Sequence, residues 1–417
     1  MNDKELYKRI LGINGPWEVT DVRLDIINKE VMIQVGYKTE QPVNCPECQR
    51  EAAKHDHKKR RWRHLDTCQM KTIIECEIPR TRCPEHGIKQ IPVPWAETNS
   101  RFTALFEALV IMWMKDASIK AVGKAFGISW DQAAKIQEKA VKRGLSRRKE
   151  EPVEEIGIDE TSYQKRHEYV TILLDRGKDR VIDVLDDRKA VSVDKWFKSR
   201  TKEEREGYVS ITMDMWDPYI KAVRDNVPEA DKKTCFDRFH VSQHLNKGID
   251  KVRAEEHRGF LEQTGESPLS KTRFDWLRNS GKTDNRSRVD FLKLTRSKLR
   301  TARAWAIKET ANRLWSYQYW ACAKKAWEYL CSWMIRSRLK PIIKVGRMIK
   351  NYLWGILNAV LLKANNAMLE AKNGCIQKIK ARACGFRNRD RFKTAIMFHL
   401  GGLDMMPSAA KAANFPT

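Results

Sequence analysis

The sequence has no apolar run long enough to cross a bilayer. Its longest, "FTALFEALVIMWM" and "LWGILNAVLL", both fall short of a span. It also lacks a charged leader followed by an apolar stretch at its start, and no amphipathic anchor stands out. These absences argue against export or membrane insertion and lead us to expect a reducing cytoplasm. There, closely spaced cysteines read as metal ligands rather than disulfides. Acidic residues are scarce beside basic ones: 54 Asp and Glu against 80 Lys and Arg, a formal net charge of +26. That excess favours a polyanion as partner through counterion release, with salt-dependent binding. Apolar residues are not scarce, and at 41% they exclude wholesale disorder. A chain of 417 residues exceeds one ordinary core, so several domains are expected.

The N-terminal stretch alternates apolar and polar residues in "WEVTDVRLDI" and "EVMIQVGY", which predicts a β-hairpin turning at Asn28-Lys29-Glu30. Cys45 and Cys48 form "CPEC", and Cys83 and His86 form "CPEH", with a basic, alternating segment between them. Two such knuckles flanking β-like sequence have the layout of a zinc ribbon, with Cys45, Cys48, Cys83 and His86 as ligands. His55, His57 and His64 compete for the fourth place. Cys68 and Cys76 have no knuckle partner and are expected to pack as small apolar residues. Lys58, Arg60, Arg61 and Arg63 between the knuckles are candidates for contacts to DNA phosphates.

From residue 101 the period becomes helical. "SIKAVGKAFGISWDQAAKIQEKAVKRGL" reads as helix, turn, helix, with the turn at Gly127-Ile128-Ser129 and Ser129 as N-cap. The second helix is expected to offer Gln132, Lys135, Gln137, Lys139 and Lys142 to a major groove. A charged, proline-bearing linker, "SRRKEEPVEE", then marks a boundary.

Beyond it the pattern is α/β: "EIGID", "EYVTILLD" and "RVIDVLDDR" as three strands, a helix over roughly 190–205, "YVSITMD" as a fourth strand, a helix opened by Asp217-Pro218, and a strand ending near Asp237. A three-stranded meander followed by helix, strand, helix and strand is the order of a ribonuclease-H-like domain. Carboxylates at the ends of its first and fourth strands, Asp159 and Asp214, are then neighbours. Residues from about 245 to 360 read as helical, basic and rich in tryptophan, most of it destined for a core. Glu370 follows in the helix-like run "ANNAMLEAKNGCIQKIKAR", with Asn366, Asn373 and Gln377 on its face and Lys378, Lys380 and Arg382 placed to clamp phosphates.

Few carboxylates on a basic chain suit Mg²⁺, which takes oxygen ligands and also binds substrate phosphates, and Mn²⁺ is an acceptable substitute. Two such ions would activate the attacking hydroxyl and stabilise the leaving oxyanion of a phosphodiester. Glu160 should point away from this site, on the opposite strand face. Asp237 reads first as a helix cap, with an auxiliary ligand role beside His240 as the alternative. His167, Asp175, Asp183, Asp186 and Asp187 read as solvated.

The segments "CPEC…RTRCPEH", "FGISWDQAAKIQEKAVKRGL", "IGIDETSY", "MDMWDPYIKAVRDNVPEA", "FDRFHV" and "LEAKNGCIQKIKARACGFRN" together resemble the ISL3 group of bacterial insertion-sequence transposases, in the DDE superfamily. The resemblance covers nearly the whole chain and implies Asp159, Asp214 and Glu370 as the catalytic, metal-binding triad. It further implies that a helical insertion interrupts the core. His86 departs from the group, where a cysteine is the more usual finger ligand. The expected layout is a β-hairpin and zinc-ribbon domain at 1–98 and a helix-turn-helix DNA-binding domain at 99–148. The core's first part follows at 149–245, an all-α insertion at 246–360, and the rest of the core with its glutamate helix at 361–417. The implied function is DNA end recognition, Mg²⁺-dependent cleavage and strand transfer by a dimer or larger oligomer at the nucleoid. A non-catalytic DNA-binding regulator with a degenerate core is the rival reading, and a nuclease without strand transfer is another.

Overall fold

In a computed structural model of the chain, which describes residues 2–38, 43–164, 168–278, 291–364 and 367–412, these patterns separate into two units. One is Met1–Lys149 with Leu403–Thr417, the other Glu150–Gly402.

The first unit begins with a helix the sequence pattern did not suggest, α1 (Asp3–Ile10), capped by Asn2. The expected hairpin follows as β1 (Trp17–Asp25) and β2 (Glu30–Tyr37), antiparallel, with Lys29 in the turn at φ 49°. Strands β3 (Ala53–Arg63), β4 (Lys71–Cys83) and β5 (Gly87–Gln90) complete a sheet ordered β1-β2-β4-β3, with β5 also paired to β4. Its core stacks Trp17, Trp62 and Trp95 edge to face, at 5.1 and 5.5 Å between centroids, over Ile33, Ile74 and Ile78. Cys76 is buried there as expected. Cys68 is not: it sits exposed at φ 51° in the turn between β3 and β4, where nothing covers it.

Helices α2 (Ala104–Asp116), α3 (Ile119–Phe126) and α4 (Trp130–Arg147) form the helical part. Gly127 ends α3 at φ 64°, a left-handed conformation that costs glycine nothing. Ser129 then starts α4 in a reciprocal capping box with Gln132. The segment from Leu403 joins this unit. Arg143 donates to the Met405 carbonyl (2.5 Å) while pairing with Glu97 and Glu107 at 2.5 and 3.1 Å, and Arg147 donates to the Met406 carbonyl (2.6 Å). The expected run of core sequence from 361 to 417 therefore stops at Gly402.

The second unit is built on β6 (Glu155–Gln164), β7 (Glu168–Asp175), β8 (Arg180–Leu185), β9 (Ser210–Met213) and β10 (Thr234–Phe236), ordered β10-β9-β6-β7-β8. β6, β7 and β8 are antiparallel, whereas β9 runs parallel to β6 and β10 parallel to β9. The parallel crossovers carry helices, as they must. The single helix expected at 190–205 is two, α5 (Ala190–Lys198) and α6 (Lys202–Glu206), because Thr201 opens a new capping box. Helix α7 (Asp217–Asn226) has Trp216, not Asp217, as N-cap, and α8 (Ala230–Lys233) leads to β10.

Next comes α9 (Arg238–Thr264), which crosses the boundary expected at 245/246 without a break. It is followed by α10 (Arg273–Leu277), α11 (Arg300–Leu314), α12 (Trp320–Arg336), α13 (Lys340–Asn351) and α14 (Leu353–Leu361). No strand occurs among the described residues of 238–364. These helices share one apolar core with the sheet, running from Ile156, Ile158 and Phe236 to Trp276, Trp327 and Ile349. Helices α15 (Ala367–Arg382) and α16 (Arg389–Leu400) close the unit. No helix among the described residues is long and apolar enough to cross a membrane.

Candidate functional site

In the first unit the two knuckles face each other. Cys48 Sγ lies 3.8 Å from Cys83 Sγ, and His86 Nδ1 lies 3.5 Å from Cys83 Sγ and 3.8 Å from Cys45 Sγ. All four donor atoms lie within 4.8 Å of one another. Ligands about 2.3 Å from a common ion at the tetrahedral angle are about 3.8 Å apart, so this donor set fits zinc. The His86 backbone N–H, then its ring, draw the Cys83 thiol down to about 6, toward the thiolate a metal needs. The competing histidines drop out: His55 and His57 are exposed on β3, and His64 is buried at 2.9 Å from Thr103 Oγ1.

On α4, Lys135, Lys139 and Lys142 are exposed as expected. Gln132 is half-buried and spends its carbonyl on the Ser129 N–H (2.8 Å), and Gln137 is buried (7% exposed), so it cannot serve a groove. On the ribbon, Lys58 is exposed and Arg61 shares the buried Glu75 with Lys59. Arg60 lies over the Trp62 ring and donates to the Ser100 carbonyl (2.8 Å). Arg63 pairs with Asp66, lies over Phe106 and donates to the His64 carbonyl (2.6 Å). Those two arginines are therefore occupied within the unit.

In the second unit, β9 pairs with β6 along Glu155–Gly157 alone and then ends, leaving the rest of β6 open on that side. β6 itself runs on to Gln164, so Asp159 lies within the strand rather than at its end. Asp159 is pushed up to about 7, first by burial and then by the charge of Asp214. Its oxygens accept from the Glu160 N–H (2.7 Å) and from Asn373 Nδ2 (2.5 Å). Asp214 Oδ1 stands 2.8 Å from His240 Nε2. Burial works against a charged His240 ring, but the hydrogen bond and charge of Asp214, with Asp237 and Asp159, prevail and raise it. Asp237 caps α9 through the Phe239 N–H (3.0 Å) as expected, yet its other oxygen is 4.0 Å from His240 Nε2. Burial lifts Asp237 to about 6, and Asp214 and Glu370 add to the rise. Donor atoms of Asp214, Asp237 and His240 lie within 4.8 Å of one another.

Helix α15 lies along β6 in register. Leu369 fills the space beside Gly157, where a Cβ would meet it at 2.7 Å. Asn373 reaches Asp159, Gln377 donates to Thr161 Oγ1 (3.2 Å), and Lys380 donates to the Ser162 carbonyl (2.7 Å). Four helical residues advance about 6 Å and two strand residues about 6.6 Å, so the contacts repeat. Glu370, next to Leu369 and a turn before Asn373, is exposed at the acidic end of this seam, and Lys378 and Arg382 are exposed. Lys380 is spent on β6 instead of being free for a phosphate. Asn366 and His167 lie outside the described residues.

Glu160 stands on the strand face opposite Asp159, as expected for a strand paired to β7 through this stretch, and that face opens onto a cavity also lined by Asp214 and His240. Other expectations change. Asp175 is buried and accepts from the Lys178 N–H (3.0 Å) and Arg180 Nε (3.2 Å). Trp327 is core, Trp305, Trp315, Trp333 and Trp354 are partly buried against it, and Trp320 is half exposed. Trp216, Tyr219 and His244 also line the cavity and were not singled out. Their only sequence signal was proximity to Asp214 and His240.

Residues 156–396 match a family described as "Transposase". Residues 41–86 match "zinc-finger of transposase IS204/IS1001/IS1096/IS1165", and 91–140 the "helix-turn-helix domain of transposase family ISL3". The chain is 24% identical over 443 residues to the "Transposase for insertion sequence element IS1557" of Mycobacterium tuberculosis, covering 96% of each. It is 22% identical over 341 residues to the "Transposase for insertion sequence element IS1001" of Bordetella parapertussis, covering 81% of this chain and 84% of that one. With a zinc ribbon, a helix-turn-helix and a transposase core matched along its length, the chain belongs to the ISL3 family and is a DNA transposase.

Proposed function

We propose that the chain cleaves the inverted-repeat ends of its element and joins the freed 3′-hydroxyls to target DNA at the carboxylates of Asp159, Asp214 and Glu370. The observation that carries this is the approach of Asp159 to Asp214 beside the end of β9, with Asn373 tying Glu370's helix to Asp159. The strand order β10-β9-β6-β7-β8 supports a ribonuclease-H-like core. The strandless stretch between β10 and α15 supports a helical insertion.

Two Mg²⁺ ions held by these carboxylates would polarise the phosphate and activate the attacking hydroxyl. Asp159 and Asp214, partly buried and mutually repelling, fit such ions, since such carboxylates gain most from a cation, and the exposed Glu370 would complete the set from α15. Asn373 and the Glu160 N–H hold the Asp159 carboxylate in one orientation. His240 holds Asp214, and Asp237 stands within reach as a further oxygen donor. In the first unit, Cys45, Cys48, Cys83 and His86 hold the structural Zn²⁺. Lys135, Lys139 and Lys142 of α4, with Lys58, face the DNA. Two element ends must be held together, which calls for at least a dimer.

The test is Asp159→Asn in the full chain. Cleavage of a duplex carrying the element end should be lost while end binding is retained; cleavage at the wild-type rate would contradict the assignment.

A further inference from the structure

Beside the carboxylates opens a cavity of about 130 Å³, lined by Glu160, Asp214, Trp216, Tyr219, His240 and His244. Phosphoryl transfer does not account for its walls. Trp216 leaves a large indole 45% exposed next to charged groups, and its backbone is fixed there by a 2.7 Å bond to the Asp214 carbonyl. Tyr219 is buried, and its hydroxyl lies 2.8 Å from Thr171 Oγ1, so that wall is rigid. Glu160 Oε2 is buried without a hydrogen-bond partner, while Oε1 is 3.7 Å from Arg188. An unpaired buried acceptor is costly unless a ligand's donor meets it.

The chemistry of this cavity selects its ligand. Carboxylates in the lining repel a phosphate. Aromatic faces with buried carboxylate oxygens, the unpaired Glu160 Oε2 and, beside His240, Asp214 Oδ1, suit a flat, neutral ring that presents an N–H donor, the description of a nucleobase carrying an amino group. The ligand on a DNA transposase that supplies such a ring is the DNA itself. A base can enter only after leaving its pair, as enzymes that capture single bases require.

We propose that this cavity takes up one amino-bearing nucleobase of the DNA end, swung out beside the bond to be cut. It stacks on Trp216 and donates to Glu160 Oε2. The inference rests on the reading of the neighbouring carboxylates as the phosphoryl-transfer site. It makes Trp216 and Glu160 positioning residues that fix the strand by its base.

The experiment uses the full chain and short duplexes carrying the element end. Trp216→Ala should cleave paired ends about tenfold more slowly with end binding unchanged, the size of one lost base–aromatic stack. Trp216→Phe, which keeps a stacking face, should stay near wild type. An abasic site at one position next to the cut should restore Trp216→Ala to within about twofold of wild type, since no base then needs housing. Wild-type cleavage by Trp216→Ala, or slow cleavage that no abasic position rescues, overturns the proposal. A second readout needs no cleavage: Asp159→Asn bound to ends with 2-aminopurine placed at each position in turn. A fluorescence change confined to the rescued position supports the pocket, and no responding position overturns it. Failure of the carboxylate reading shows itself separately, as full cleavage by Asp159→Asn.

Discussion

The ribbon cluster and the carboxylate cluster solve the same problem, gathering metal ligands, in opposite ways. The ribbon's four donors come from two short turns, and their spacing closes the set within 4.8 Å. The carboxylate site draws on β6, the end of β9, the start of α9 and α15, residues as far apart in sequence as Asp159 and Glu370. On the proposed reading, its carboxylates are brought to one place by a sheet edge that stops and a helix that lies in register along a strand. A closed local site is a folding device; an open site assembled by topology leaves room for substrate. The two should therefore fail differently.

The largest expected effect is on the ribbon. Chelation or Cys45→Ser should remove an interaction worth on the order of 10 kcal/mol in structural zinc sites. Amide exchange in Met1–Lys149 should rise, and end binding should fall. Exchange in β6–β10 should hold; equal loosening of both units would erase the contrast.

Two histidines sharpen it further. Burial, with a smaller push from Arg63, lowers His64 from 6.5 to about 4, whereas carboxylates raise His240. Because the folded state holds His64 neutral, the unfolded chain binds the extra proton. Its stabilising contribution is therefore complete above pH 6.5 and is lost as pH falls toward 4, about 3 kcal/mol in all. The unfolding free energies of wild type and His64→Gln should diverge by this amount across that window; parallel curves would refute it.

A smaller loss should follow Asn373→Ala, which removes the 2.5 Å bond orienting Asp159. Cleavage should fall about 10- to 100-fold, as for other residues supporting metal ligands, with end binding intact. An unchanged rate would mean that Asn373 only packs. The smallest effect belongs to Lys135→Ala on α4. It should weaken binding evenly across sequences and lower the salt slope by about 1. Discrimination between the true end and other duplexes should not change; a change would make Lys135 a reader of bases.

What the sequence disclosed follows the same division. The hairpin turn at Lys29, the cap at Ser129 and the knuckle ligands each depend on residues a few positions apart, and each stands where expected. Long-range placement was harder to read. Alternation put Glu160 on the face opposite Asp159, where it is, but nothing local shows that this face opens onto a cavity lined by Asp214 and His240. Arg60 and Arg63 looked available for DNA because nothing local announces Ser100 or Phe106 as partners. Lys380 was similarly claimed by β6. The return of the Leu403 segment to Arg143 and Arg147 has no local signature at all. Glu370 was the residue least supported by pattern. Its place is supported by contacts of its neighbours Leu369 and Asn373 rather than by its own.

Glu370 is accordingly where the account is most exposed. The decisive measurement is single-turnover cleavage of the element end in Mg²⁺ by Glu370→Gln, with binding to the same duplex measured alongside. The account predicts wild-type binding and a cleavage rate reduced roughly 10²- to 10³-fold or more, as when a group that stabilises transition-state charge is removed. Cleavage at the wild-type rate would show that the site works with Asp159, Asp214 and their neighbours alone, and would remove α15 from the chemistry.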